Sequence, residues 1–227
     1  MEQDELVGLG LYTPAEAADL TNIPARRITR WLSGHRAGGK RYEPLWTPQV
    51  RLASGGVHLG FLDILEIRVT DALIASGLSA QSVRRAIRLA RDELHLSHPL
   101  ASHRFSVDGK RLILSVVDPD GTERSLDLLN RQYVLRRLVE RSLKDVDFED
   151  SQPLRWWPKG RAAGIVVDPA RSFGRAIEDT TGVPVEILSR AVDAEGSPEA
   201  AARAYEVPLK AVRRARAFCF PIEREAA

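Results

Sequence analysis

TPAEAADLTNIPARRITRW, Thr13–Trp31, has a near copy close to the other end of the chain, SPEAAARAYEVPLKAVRRA, Ser197–Ala215. In the first copy Thr13 can cap a helix, Pro14 suits the first helical position and Glu16 stands three residues after the cap, which together make a capping box. Thr21-Asn22 reads as a turn, and a second helix starting near Pro24 would bury Ile28, Trp31 and Leu32 at helical spacing. Ala17, Ala18 and Leu20 of the first helix would face inward, small enough to let the second helix approach closely. The other face of that second helix carries Arg26, Arg27, Thr29 and Arg30. Two short helices across a sharp turn, with cations on the outer helix, read as a helix-turn-helix. Either copy could hold DNA or merely pack, and the residues around each decide between the two.

The formal net charge of +2 conceals a local excess. Residues 1–22 hold five acids and no Lys or Arg, whereas residues 23–60 hold seven basic residues, Arg26, Arg27, Arg30, Arg36, Lys40, Arg41 and Arg51, against the single acid Glu43. The rest of the chain is nearly balanced. A concentrated basic stretch beside a turn between helices is what a phosphate-contacting surface requires. Gly34 ends the basic helix, and GHRAGGKRYEPLWTP after it is Gly-rich, basic and aromatic, which reads as a wing carrying Arg36, Lys40 and Arg41. The same segment nearly matches a phosphate-binding loop at Gly34, Gly39 and Lys40. Arg41 stands where Ser or Thr should hold magnesium, and the segment leaves a helix instead of a strand, so nucleotide binding is set aside.

From Phe61 to Leu94 the apolar spacing predicts two helices separated at Gly77-Leu78-Ser79, the second burying Val83, Ile87, Leu89 and Ala90. Arg84, Arg85, Arg88 and Arg91 line its other side, either as a solvated face or as a second phosphate contact. Residues 96–150 change character: alternation around Asp108-Gly109 and Asp118-Pro119-Asp120-Gly121 predicts a three-stranded meander. An amphipathic helix through Tyr133, Leu135, Leu138, Val139 and Leu143 follows, then KDVDFEDSQP as an acid-rich linker. The expected architecture is mainly α within the α+β class: a winged helix-turn-helix over 1–95, the meander, helix and linker over 96–150, and a helical module with a second helix-turn-helix-like pair over 151–227.

YTPAEAADLTNIPARRITRWL, the basic wing and ALIASGLSAQSVRRAIRLARDEL resemble the winged helix of MerR-type regulators. The last third resembles the modules known as domain of unknown function 433, through Ile165, Asp168, Pro169, Gly174, Val183-Pro184 and the stretch Ser197 to Val207. It departs from that pattern at Arg175-Ala176, where a small residue and proline are usual. An N-terminal DNA-binding unit ahead of such a module is similar to VapB-like antitoxins of type II toxin-antitoxin systems, mycobacterial ones among them. The resemblance implies operator DNA and a PIN-like ribonuclease toxin as partners, with autorepression of the operon. On that reading Thr13, Arg26, Arg27, Thr29, Arg30, Arg36, Lys40 and Arg41 serve DNA, while Arg171, Phe173, Arg175, Phe218 and Phe220 serve the toxin or a homodimer. The second copy lacks a basic wing, so its Lys210, Arg213, Arg214 and Arg216 are assigned to protein contact, and Ala200, Ala201, Ala202 and Ala204 to close helix approach in that dimer. A ligand-responsive MerR-type regulator without a toxin is the alternative.

Nothing in the sequence assembles a catalytic centre. Cys219 lies between two phenylalanines with no histidine nearby, no nucleophile elbow is present, and Asp168, Glu178 and Asp179 sit in a segment better read as a packed turn. His95, His98 and His103 lack cysteine or carboxylate partners at ligand spacing, and Asp145, Asp147, Glu149 and Asp150 read as solvated, so no cofactor or metal is expected. The sequence has no apolar run of membrane-spanning length and opens on acidic residues unlike a signal peptide, which points to a cytoplasmic protein.

Overall fold

The computed structural model describes residues 8–52, 55–102, 105 and 137–220. Helices α1 (Pro14–Thr21) and α2 (Ala25–Ser33) form where the sequence places them. The Thr13 backbone N–H and hydroxyl both donate to Glu16 at 2.8 Å, and the Glu16 N–H returns to the Thr13 oxygen at 3.3 Å. Asn22 closes α1 in the left-handed region, with φ of 59°, a conformation that its short polar side chain tolerates. Ile28 and Ala17 are fully buried, and Trp31 and Leu32 nearly so.

Gly34 terminates α2 at φ of 69°, and a Cβ there would overlap the Tyr42 carbonyl oxygen. The chain then forms the hairpin β1 (His35–Ala37) and β2 (Lys40–Tyr42). Gly38 and Gly39 both take positive φ, 55° and 74°, as a two-residue turn matched to strand twist demands. Helices α3 (Phe61–Ala75) and α4 (Ala80–Leu94) follow, broken at Gly77, with Ser79 capping the N–H of Ser82 at 3.0 Å. In α4 the buried positions are Val83, Ala86, Ile87, Ala90 and Leu94, while Leu89 is only half-buried. A single 3₁₀ turn, Pro99–Ala101, packs back on α3.

The meander expected after it falls on residues 106–129, outside the described residues, as do His103 and the start of the next expected helix at Tyr133 and Leu135. The end of that helix is described, over 137–142, with Val139 buried. The segment expected to be an acid-rich linker is a strand. β3 (Val146–Glu149) pairs antiparallel with β4 (Gln152–Trp156), and β5 (Ile165–Val167) and β6 (Ala176–Glu178) complete a sheet of order β3-β4-β5-β6. The acids mask the strand, because VDFE alternates apolar with polar, the pattern of a half-buried strand. Asp147 is not solvated: it accepts from Arg155 Nε at 2.7 Å and Trp157 Nε1 at 3.1 Å, and it pairs with Arg161. Burial pushes its carboxyl up, but those two hydrogen bonds and the Arg161 charge outweigh it and hold the group below the usual carboxylate range. The region beyond residue 151 is therefore not wholly helical. Its helices are α5 (Val185–Glu195), α6 (Pro198–Ala204) and α7 (Leu209–Cys219).

The sheet's alternation sorts its side chains between two clusters. Trp156, Ile165, Val167 and Ala176 join the main core together with residues of α1 to α7, whereas Trp157, Val166 and Ile177 form a separate small cluster. Two hydrogen bonds tie the segment before α1 to the β5–β6 connection: Leu11 N–H donates to the Phe173 carbonyl at 3.0 Å, and the Tyr12 hydroxyl donates to the Gly174 carbonyl at 2.6 Å. Gly174 has to be glycine there, because a Cβ would collide with that hydroxyl.

Candidate nucleic-acid interface

Helix α2 and the β1–β2 hairpin are held as a unit by contacts at the hairpin's base. Leu45 N–H donates to Trp31 O at 2.8 Å, Arg84 of α4 donates to the carbonyls of Pro44 (3.0 Å) and Glu43, and Trp46 Nε1 donates to Asp63 of α3 at 2.8 Å. Arg84 is thereby a structural clamp, and Arg91 is likewise engaged, donating to Ser97 O at 3.2 Å.

Asp63 organises more than the tryptophan. Fully buried, it also accepts from the N–H groups of Gln49 and Gly60, both at 2.8 Å, and lies 3.2 Å from His98 Nε2. Glu66, one turn along and equally buried, accepts from Leu100 N–H at 3.1 Å. His98 thus has a carboxylate partner, contrary to the sequence expectation, but as part of a packed network. Among the described residues no group of three or more His, Cys, Asp or Glu is placed to hold a metal.

On this scaffold the basic side chains point outward. Arg26, Arg27, Arg30, Arg36, Lys40, Arg41 and Arg51 are all exposed. Arg27 leans on Asp71 of α3 at 2.7 Å while staying half-exposed, and Arg41 pairs with Glu43 at 2.9 Å on the surface. Surface pairs of this kind contribute about 0–1 kcal/mol and are easily exchanged for a phosphate. Arg30 Nη2 lies 2.7 Å from His35 Nε2, and Lys40 sits over the Tyr42 ring at 5.7 Å. The His35 and Tyr42 rings, directly opposite in the hairpin register, stack at 4.7 Å with planes 4° apart. Neither ring is among the residues that the sequence singles out. Thr13 and Thr29 are less available than expected: Thr13 is engaged in the cap, and the Thr29 hydroxyl donates to Ala25 O at 3.0 Å.

The second copy repeats the punctuation with the opposite outcome. Ser197 caps α6, Pro198 opens it, and α7 starts behind Pro208, but the arginines of α7 meet partners within the fold. Arg214 pairs at 2.8 Å with the fully buried Glu178, Arg213 with Glu199 at 2.9 Å, and Arg216 with Asp193 at 2.8 Å. Burial raises the Glu178 carboxyl, yet Arg214 and the amides and hydroxyls of Thr180 and Thr181 overcome that and keep it below its ordinary range. Lys210 alone of the four basic residues stands exposed and without an ion pair among the described residues. Ala201 and Ala202 are buried in the chain's own core and are not free to meet a second copy.

The remaining candidates are dispersed. Phe173 is 71% exposed on a tip whose backbone is left-handed at Ser172 and Phe173, and Phe220 is 58% exposed beneath Arg216 at 4.4 Å. Arg175 pairs with Glu186 at 3.0 Å, and Phe218 packs half-buried on the core. Arg171 is half-buried with its guanidinium against Gly182. Only Arg175 and Phe218 share a feature, a groove of about 810 Å³ between α1 and helices α5 and α7, whose walls include Leu20, Glu16, Val185 and Arg190. The Cys219 thiol also lines that groove, and burial pushes it above its ordinary range, away from the reactive thiolate.

A paired-helix unit with an adjoining basic hairpin is the class of surface this geometry defines. Among known proteins, the chain is 26% identical over 220 residues to a Mycobacterium tuberculosis protein named "Putative antitoxin VapB45", covering 90% of this chain and 92% of that protein. Its fold is similar to the crystal structure of Rv2018 from Mycobacterium tuberculosis, with a TM-score of 0.68 and 23% identity over 92% of this chain and 98% of that one. No protein-family model matches the chain. No helix among the described residues is long and apolar enough to cross a membrane.

Proposed function

We propose that the chain is a VapB-type antitoxin: residues 12–60 act as a winged helix-turn-helix that binds operator DNA and represses the antitoxin's own operon, and the region beyond residue 151 neutralises a PIN-like ribonuclease toxin. The observation that carries the DNA half is the contrast between the two copies. In α2 and its hairpin the cations are exposed, with at most surface partners, while in α7 Arg214 is committed to the fully buried Glu178, and Arg213 and Arg216 hold surface pairs with Glu199 and Asp193 and have no basic hairpin beside them. Phosphate contacts from such exposed cations supply salt-dependent affinity, and Arg26 or Arg30 on α2 has the reach and the donor fork to read guanine in a major groove. The toxin half rests on likeness to the named antitoxin over nearly the whole chain. Phe173 and Phe220, exposed aromatics beside Arg171 and Arg216, are the proposed anchors for the toxin or for a homodimer, and a two-fold dimer would call for a two-fold operator.

Gel shifts with the DNA upstream of the chain's own reading frame test the first half, and co-expression with the adjacent reading frame tests the second. Absence of a shift, or no growth arrest by the neighbour's product alone, would sink the corresponding half. The groove between α1 and α5–α7 favours a second reading, a ligand-responsive regulator, because cavities of about 300–1,000 Å³ at the junction of structural units suit small molecules. A neighbouring gene that encodes no toxin would favour it.

A further inference from the structure

The contact between Arg30 and His35 fixes a protonation state. A guanidinium has five N–H donors and no acceptor, so at 2.7 Å the His35 Nε2 must supply a lone pair. His35 is therefore neutral and carries its proton on Nδ1. The same ring stacks on Tyr42 across the hairpin, and Tyr42 lies under Lys40. One imidazole consequently links the arginine of α2 to the strand that carries Lys40 and Arg41.

Resting on the DNA-binding reading above, we propose that His35 is the positioning residue of this interface: in its neutral form it aims Arg30 and locks α2 to the hairpin, so that helix and wing meet DNA as one rigid surface. Protonation converts the acceptor into a donor and sets a second cation against Arg30, which breaks the link. The charged groups acting on the ring are Arg30 from α2 and Arg84 from α4; on the hairpin Lys40 shares its face, over Tyr42, whereas the register turns Arg36 and Arg41 to the other face, Arg41 paired there to Glu43. Although the ring stays open to solvent, desolvation and then the charges of Arg30 and Arg84 lower its basicity, in keeping with the neutral form at neutral pH.

Because an extra charge on the wing adds to general attraction for phosphate, the property that suffers on acidification is selectivity rather than overall affinity. The test compares the full chain's binding to its own upstream duplex and to a scrambled duplex of equal composition, at constant ionic strength, from about pH 5 to about pH 8. Wild type is expected to lose about tenfold in selectivity on acidification, the worth of one well-aimed arginine at a base edge. His35→Gln, whose amide oxygen can accept from Arg30 but does not titrate, keeps selectivity at every pH, and His35→Ala is poorly selective throughout. A His35→Ala protein as selective as wild type, or a His35→Gln protein with the wild-type pH profile, would overturn the proposal while leaving DNA binding intact. No preference by wild type for its upstream duplex would overturn the DNA-binding reading and this proposal with it. The contact itself is checked without DNA, by following the His35 ring with NMR: Arg30→Ala should move its titration to higher pH, and an unmoved titration refutes the link.

Discussion

Replacing Glu66 by glutamine separates burial from charge at the most heavily desolvated carboxyl of α3. Glu66 has no exposed surface, one oxygen accepts from Leu100 N–H at 3.1 Å, and the other has no hydrogen-bond partner among the described residues. Burial foremost, with a smaller push from Asp63, drives its pKa from 4.5 to about 8 against the opposing pull of His98, the Leu100 amide and Arg91. At neutral pH the folded protein therefore carries a proton on Glu66 that the unfolded chain has released. The folded-state value is the raised one, so this group's contribution to stability is complete below about pH 4.5, erodes as pH rises, and stops changing above about 8. Each unit of that window is worth about 1.4 kcal/mol, so by pH 7 wild type has lost about 3 kcal/mol that Glu66→Gln, neutral in both states, does not lose. The absolute stability of the variant also contains the cost of placing an amide N–H where no acceptor waits, about 1–3 kcal/mol. The decisive quantity is thus the slope. Urea unfolding of both proteins at intervals between about pH 4.5 and about pH 8 should show their stability difference moving steadily in favour of the glutamine variant. His98 erodes in the same direction: burial lowers its basicity, but the hydrogen bond and charge of Asp63 foremost raise it, so the comparison should be repeated with His98→Gln in both proteins. A stability difference that stays flat across the window would refute the claim that Glu66 is protonated in the fold.

The same structure sets three further outcomes. Arg26→Ala should weaken binding to the upstream duplex and reduce the slope of log affinity against log salt by about one, whereas Lys210→Ala should change neither, as fluorescence anisotropy across a salt series would report. Arg214→Ala leaves the fully buried Glu178 without its cation and should cost about 3–5 kcal/mol in urea unfolding. Since the Glu178 pKa is lowered in the fold, the stability it lends to wild type is present at neutral pH and is lost as pH falls through the acid range, and the variant should show a shallower loss. Gly34→Ala forces a Cβ onto the Tyr42 carbonyl at a positive-φ position and should cost at least the roughly 1–2 kcal/mol of the conformation alone, with loss of His35–Tyr42 stacking visible in the aromatic NMR shifts.

Legible in the sequence is whatever a few neighbouring residues determine. The capping box of Thr13 and Glu16, the prolines that open helices, Gly34 and the Gly77–Ser79 break are local rules, and each appears where the spacing puts it. The hairpin is within reach too: counting outward from Gly38-Gly39 pairs His35 with Tyr42, a step beyond the general expectation of a wing. β3 is hidden when its acids are weighed by charge, although Val146 and Phe148 alternate with them. The buried network is not legible for a different reason. Asp63 and Glu66 look like a polar interruption of an apolar helix until His98 and Leu100 arrive from the far side of α4, and no local pattern announces that meeting.

The two copies show where local rules stop. Both spell the same start, turn and restart, and both build a helix whose surface carries arginines at similar spacing. The difference between them lies elsewhere in the chain. Glu178 arrives from β6, Asp193 from α5 and Glu199 from α6, and each pairs with one arginine of α7, while among the described residues the arginines of α2 have one acidic partner, Asp71, at a half-exposed site. The segments after the two helices differ as well: Gly34 turns α2 into a hairpin that continues the basic surface, and α7 ends at a phenylalanine lying under its own Arg216. An arginine already paired to a buried carboxylate can serve a phosphate only by leaving that carboxylate uncompensated, at about 3–5 kcal/mol, more than one phosphate contact returns. Arg214 alone is held in this way, since Arg213 and Arg216 meet exposed carboxylates; the buried Glu178, distant in sequence, is therefore what commits α7 to holding the fold, while α2 keeps its cations on the surface.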